Sequence, residues 1–145
     1  MLKLITLLKP FAAYILVAWV ITIIIVSSLP GIPALKFHTS KSDIRLDYLI
    51  HFCEYGSLAF LAYLTFAKRF STAGKMFFLI TIGLVVFAVA DEFHQKLIPG
   101  RSFNVMDIVS NISGILAALV FCVVTFKMIS TQGAGRRAQG RNCER

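Results

Sequence analysis

Residues 47–67 read DYLIHFCEYGSLAFLAYLTFA. The stretch is long enough to cross a bilayer as a helix, which takes ~20 mostly apolar residues. Yet Asp47, His51 and Glu54 stand in its first third, and no charge follows them. An ionisable side chain costs ~2.5 to 3.5 kcal/mol at the centre of a membrane helix on insertion scales, and less near the ends. The segment therefore reads as a membrane helix whose polar end meets other polar groups.

Three further stretches extend that reading. Residues 11–29 form the cleanest apolar run, and Pro30-Gly31-Ile32-Pro33 stops it. Residues 76–90 are apolar and reach spanning length only by taking in 91–95, with Asp91, Glu92 and Gln95. Residues 105–129 are again polar early, at Asp107, Ser110, Asn111 and Ser113, and apolar afterwards. The expected fold is all-α: a polytopic membrane protein built as a bundle of four transmembrane helices over residues 1–129, with spans at about 11–29, 47–67, 76–95 and 105–129. Residues 130–145 are rich in Gly, Gln and Arg with no apolar period, which predicts a disordered basic tail drawn to anionic lipid.

Composition agrees. Of 145 residues 57% are hydrophobic and only 15% charged, with mean hydropathy +0.77, against ~25% charged for an ordinary soluble domain. A water-soluble globule is excluded, and so is wholesale disorder, which needs low hydrophobicity. The net charge of +8 would suggest nucleic acid in a soluble protein. Here it reports membrane orientation, and no nucleic-acid partner is expected. With four spans, ten Lys and Arg fall on the side of the termini and five on the other, which places both termini in the cytoplasm. The first run, 19 residues long with no A-x-A-like site after it, reads as a retained span rather than a signal peptide. The protein is expected in the bacterial cytoplasmic membrane. Cys53, Cys122 and Cys143 form no CxxC or Cys/His pattern, so neither a disulfide framework, a metal site nor a cofactor motif is expected.

The seven acids then become the informative residues. Asp43 falls in a loop and Glu144 in the tail, while Asp47, Glu54, Asp91, Glu92 and Asp107 all lie toward the extracytoplasmic ends of the spans. At 100° per residue, Asp47, His51, Glu54 and Tyr55 share an arc of about 100° on one helix. Asp91, Glu92 and Gln95 share one on the next, with His94 pointing away. Asp107, Asn111, Gly114 and Ala118 form a stripe on the last. These faces should meet one another, and Gly114 with Ala118 would let a second backbone come close. Pro99-Gly100 suits the centre of a type II turn joining the last two helices. Asn104 with Asp107 supplies a helix cap and a first-turn carboxylate, which by itself accounts for Asp107. Arg101 either neutralises the acids or clamps a phosphate or carboxylate. His51 suits an ion pair, a general base or a metal ligand; with Glu54 and Glu92 it has the elements of a metal site, but no spacing such as H-E-x-x-H is present, so none is expected.

In combination, His51-Phe52-x-x-Tyr55, then Asp91-Glu92-x-x-Gln95 before Pro99-Gly100-Arg101, then Asp107-x-x-x-Asn111-x-x-Gly114, resembles the VanZ-like family of small bacterial membrane proteins. Tyr48 stands after Asp47 where that family often carries lysine. The resemblance implies a helical envelope protein whose founding member lowers susceptibility to teicoplanin. It implies a functional surface at His51, Tyr55, Asp91, Glu92, Gln95, Arg101, Asp107, Asn111 and Gly114.

Three functions compete on these residues. In a lipid-binding protein, Asp47, Tyr55, Asp91, Gln95, Arg101, Asp107, Asn111 and Gly114 would form a site for an anionic lipid or a lipid-linked peptidoglycan precursor. In an intramembrane hydrolase or transferase, His51 would be general base, Glu92 or Glu54 a second acid/base group, and Arg101 a stabiliser of developing negative charge. In a proton-coupled transporter, Glu54 and His51 would carry protons, and four spans would require a homodimer. The plainest alternative is that the polar groups only fix the bundle's register, through bonds that average ~0.6 kcal/mol in one measured membrane protein.

Overall fold

The structure is a computed structural model and describes residues 10–30, 36–39, 42–66 and 73–143. Its elements are α1 (Ala12–Ser28), a ribbon of β1 (Lys36–Thr39) and β2 (Ser42–Arg45), α2 (Leu46–Phe66), α3 (Ala73–Gln95) and α4 (Val105–Cys143). The four-helix all-α membrane bundle expected from the sequence is the architecture found. Three helical stretches are long and apolar enough to cross a membrane, Leu46–Phe66, Lys75–Gln95 and Val105–Met128. The fourth apolar helix, α1, has 17 residues, at the short end of the ~17 to 25 that span a bilayer.

Helix ends follow local chemistry. Leu29 adopts an extended conformation with ψ 125°, as the residue before a proline must, because the ring of Pro30 crowds the helical alternative. At the other turn, Arg101 N–H donates to the Ile98 carbonyl at 3.1 Å, and Gly100 has φ 82°. A type II turn requires that positive φ at its third residue, which glycine adopts without penalty. Asn104 then caps α4: its side-chain oxygen accepts the Met106 N–H at 3.1 Å.

Two features were not read from the sequence. The connection after α1 holds an antiparallel ribbon that pairs Lys36 with Arg45 and Thr39 with Ser42. The last helix does not stop near residue 129 but continues to Cys143, so the backbone expected to be irregular is helical. No proline interrupts 105–143, and alanine, glutamine and arginine among its later residues are good helix formers. At 1.5 Å per residue α4 measures about 58 Å, nearly twice a hydrocarbon core.

The core joins all four helices through Ile23 of α1, Tyr55, Leu58, Ala59 and Tyr63 of α2, Ala88 of α3, and Ile115, Ala118 and Cys122 of α4. The closest approach is between α2 and α4. A Cβ on Gly114 would collide with the Phe52 carbonyl oxygen and stand 3.0 Å from Gly56 N, so the crossing depends on glycine. Outward, Tyr14 is 77% exposed and Phe78 65%. Apolar side chains exposed along the length of a helix belong against lipid rather than water.

Candidate functional site

Where α1 ends, α2 begins, α3 ends and α4 begins, the polar residues gather into two clusters. Their foundations are neighbours in sequence. Asp91 and Glu92 lie about 100° apart on α3, so each meets a different helix.

Asp91 faces α1 and α2. Its Oδ2 accepts the Ser27 hydroxyl at 3.0 Å, the Tyr55 hydroxyl at 2.9 Å and the Gln95 amide at 3.0 Å. Gln95 in turn accepts Arg101 Nη1 at 2.8 Å through Oε1. Arg101 also donates from Nη2 to the Val26 carbonyl at 2.9 Å and from Nε to the Leu29 carbonyl at 3.3 Å. The last carbonyls of a helix lack intrahelical partners and carry partial negative charge. Arg101 therefore caps α1 from the α3–α4 turn, with all three of its nitrogens engaged. Glu54 belongs to this side of the bundle: its carbonyl accepts the Trp19 indole N–H at 3.1 Å, and its carboxyl lies within electrostatic reach of Asp91 and Arg101.

Glu92 faces the start of α4. Its Oε1 accepts the Asn104 backbone N–H at 2.7 Å, and Asn104 Nδ2 donates to Asp107 Oδ1 at 3.0 Å. Asp107 Oδ2 stands 3.8 Å from His51 Nε2 of α2. One turn further along α4, Asn111 lies on the same face as Asp107. This second cluster is incomplete. Glu92 Oε2, His51 Nδ1 and both polar atoms of the Asn111 side chain are buried without a hydrogen-bond partner, although Glu92 and Asn111 are each 0% exposed. His51 and Asp107 are its less buried members, with side chains 13% and 11% exposed, and Glu92 and Asn111 its wholly buried ones.

Nearly every residue singled out in the sequence is at this end of the bundle, but they are not one surface. Tyr55, Asp91, Gln95 and Arg101 belong to the closed network, with Glu54 beside it. His51, Glu92, Asp107 and Asn111 form the open one. Asp47 sits half-buried one turn before His51, and Gly114 lies at the α2–α4 crossing rather than in either cluster. Ser27 and the carbonyls of Val26 and Leu29 complete the closed network and were missed. The only sequence signal was that Ser27 and Ser28 interrupt the apolar run just before Pro30. Among the described residues, no group of three or more His, Cys, Asp and Glu is arranged to hold a metal ion.

No curated protein and no solved structure matches the chain. A family model described as VanZ/LLP1 matches residues 7–127, which hold all four apolar helical stretches and both polar clusters. The order and spacing of His51, Tyr55, Asp91, Glu92, Arg101, Asp107 and Asn111 thus sit inside a match to most of the chain, and the protein belongs to the VanZ-like family.

Proposed function

We propose that this protein is an envelope protein of the bacterial cytoplasmic membrane that receives the head group of a membrane lipid or lipid-linked wall precursor in the His51–Glu92–Asp107–Asn111 cluster. Both termini are cytoplasmic in this reading, so the cluster opens at the outer leaflet. Sequestering such a head group alters its availability to wall synthesis and to glycopeptides. One observation carries the proposal: polar atoms of Glu92, Asn111 and His51 are buried without hydrogen-bond partners, while the His51 and Asp107 side chains of the same cluster keep 13% and 11% exposure. A buried polar group left unpaired costs ~1 to 3 kcal/mol, which a site can sustain when a ligand supplies the missing bonds.

Native mass spectrometry after mild extraction tests it. A co-purifying lipid should be retained by the wild type and lost in Glu92→Gln and Asn111→Leu; an identical lipid profile in all three would discard the idea. Reporter fusions at residue 145 and in the 96–104 turn should place the two on opposite sides of the membrane.

A second reading has its own observation. His51 Nε2 stands 3.8 Å from Asp107 Oδ2, within ion-pair reach though beyond a hydrogen bond, so the carboxylate favours the imidazolium that a general base becomes. Glu92 is then the second acid/base group, and Glu54, on the Asp91 side, has no part. Turnover of labelled envelope lipid by purified protein, abolished in His51→Gln, would support catalysis. Retention of lipid without turnover leaves the binding reading in place.

A further inference from the structure

We propose that the lipid-facing side of α2 holds one acyl chain of a membrane glycerolipid, in a groove that α1 and α4 flank. The proposal stands on the shape and chemistry of that groove and does not depend on what the His51–Glu92–Asp107–Asn111 cluster receives.

Both α1 and α4 pack against α2, and between them a groove of about 680 Å³ lies open to the side. Ile15 and Trp19 of α1 line one wall, Gly114, Ala117 and Phe121 of α4 line the other, and α2 supplies a stripe from Phe52 to Leu61. The lining is hydrocarbon and aromatic except at Cys53 and Ser57, since the Trp19 indole N–H is already donated to the Glu54 carbonyl. Two of the three helices contribute from the spanning stretches Leu46–Phe66 and Val105–Met128. What fills such a groove is therefore a lipid tail or another membrane helix.

Length decides for the tail. From Phe52 to Phe60 α2 rises about 12 Å, within the ~15 Å of hydrocarbon that one leaflet contributes. At that depth Phe60 of α2 and Phe121 of α4 meet edge to face with ring centroids 6.0 Å apart, and the pair crosses the far end of the groove. An acyl chain from the leaflet on the side of the polar clusters enters beside Phe52 and ends at this pair. A spanning helix needs ~20 residues and ~30 Å, and would have to ride over it. The small residues do not call for a second helix either. A Cβ on Gly56 would stand 3.4 Å from the Gly114 carbonyl oxygen, so these glycines serve the α2–α4 crossing inside the bundle.

Hydrophobicity gives no drive here, because lipid tails are as apolar as the groove. The preference comes from contact. A chain in the groove touches three helices where a chain on a convex face touches one, and an unfilled groove forfeits dispersion along its whole lining.

Trp19 is the single tryptophan of the chain and lines the groove, so it reports the occupant directly. The full chain is reconstituted in phosphatidylcholine brominated at mid-chain, which quenches an indole on contact, and retained lipid is counted by native mass spectrometry after mild extraction. Ser57→Phe and Ala117→Phe place a ring in the groove from exposed positions, outside the packed interior. Each should melt as the wild type does, lose most of the Trp19 quenching and lose a retained lipid. Leu116→Phe, exposed on α4 outside the groove, should change neither readout. Quenching and retention equal in the wild type and both groove variants would overturn the proposal, because Trp19 would then be meeting bulk lipid. A dimer that the groove variants dissociate would also overturn it, and would give the groove to a helix of a second copy. The head-group reading fails separately: a lipid lost in the groove variants but kept in Glu92→Gln and Asn111→Leu supports the chain site without that reading, and the reverse pattern overturns the chain site and keeps the reading.

Discussion

Asp91 and Glu92 are consecutive on one helix, both carboxylic acids and both buried, yet their surroundings were finished to different degrees. Asp91 has three donors on a single oxygen, drawn from α1, α2 and α3. Glu92 has one oxygen bonded to the start of α4 and the other bonded to nothing. The same bundle thus satisfies a buried carboxylate fully where it ties helices together and leaves its neighbour half satisfied. A closed network raises the stability and uniqueness of the bundle, whereas an open one lowers stability in exchange for a place to bind. Substitutions at the two clusters should therefore differ in sign as well as in size.

The largest effect is expected from Asp91→Ala. It leaves Ser27, Tyr55 and Gln95 without their shared acceptor inside the bundle, at a cost on the order of 3 kcal/mol. Reversible unfolding in mixed micelles measures it, and a loss below about 1 kcal/mol would mean the network is not what holds α1 to α2 and α3. Gly114→Leu should follow at roughly 1 to 3 kcal/mol, the usual cost of overpacking, because the new side chain meets the Phe52 carbonyl. The same melts read it. Equal stability would show that α2 and α4 separate freely at this height.

Arg101→Lys is smaller and more diagnostic. Lysine keeps the charge but loses the planar fork that reaches Gln95, Val26 and Leu29 together. The expected loss is about 1 kcal/mol of stability, with lipid retention unchanged. If stability holds and lipid retention falls instead, Arg101 is a ligand contact and the division between the clusters fails.

Much of this was legible because the chain must hide its acids. Span lengths, the Pro99-Gly100 turn and the gathering of acids at one end all follow from apolar run length and helical period. What was not legible is which acid meets which helix. Asp91 and Glu92 lie within one arc, and period alone assigns both to the same surface. Ser27 is a similar case: Ser28 and Thr22 turn their hydroxyls back to the Ile24 and Ala18 carbonyls of their own helix, the ordinary habit of such residues in apolar helices. Only the packing of α1 beside Asp91 sets Ser27 apart. The part of Arg101 was hidden for a related reason, since its partners include backbone carbonyls that any sequence supplies. They matter here because Pro30 ends α1 and has no N–H to offer the Val26 carbonyl, which accepts Leu29 N–H at 3.2 Å and has room for Arg101 as well. The continuation of α4 to Cys143 went unread because glycine and arginine content suggested a tail, whereas the absence of proline permits a helix.

The smallest expected effect has the opposite sign. Asn111 is wholly buried with neither end of its amide bonded, so the folded state carries the cost of desolvating it without a return. Leucine has the same branched side-chain framework and no polar atoms, and the neighbouring Ile115 is already core. Asn111→Leu should therefore raise stability by about 1 kcal/mol, while Asp91→Leu, an equally conservative change of shape, lowers it. Unfolding of both variants in the same micelles makes the comparison direct. A loss in Asn111→Leu comparable to that in Asp91→Leu would mean that the Asn111 amide is bonded in the folded bundle, and the open cluster would then be a second closed one. A gain accompanied by loss of lipid retention leaves binding as the reason the polar residue stands there.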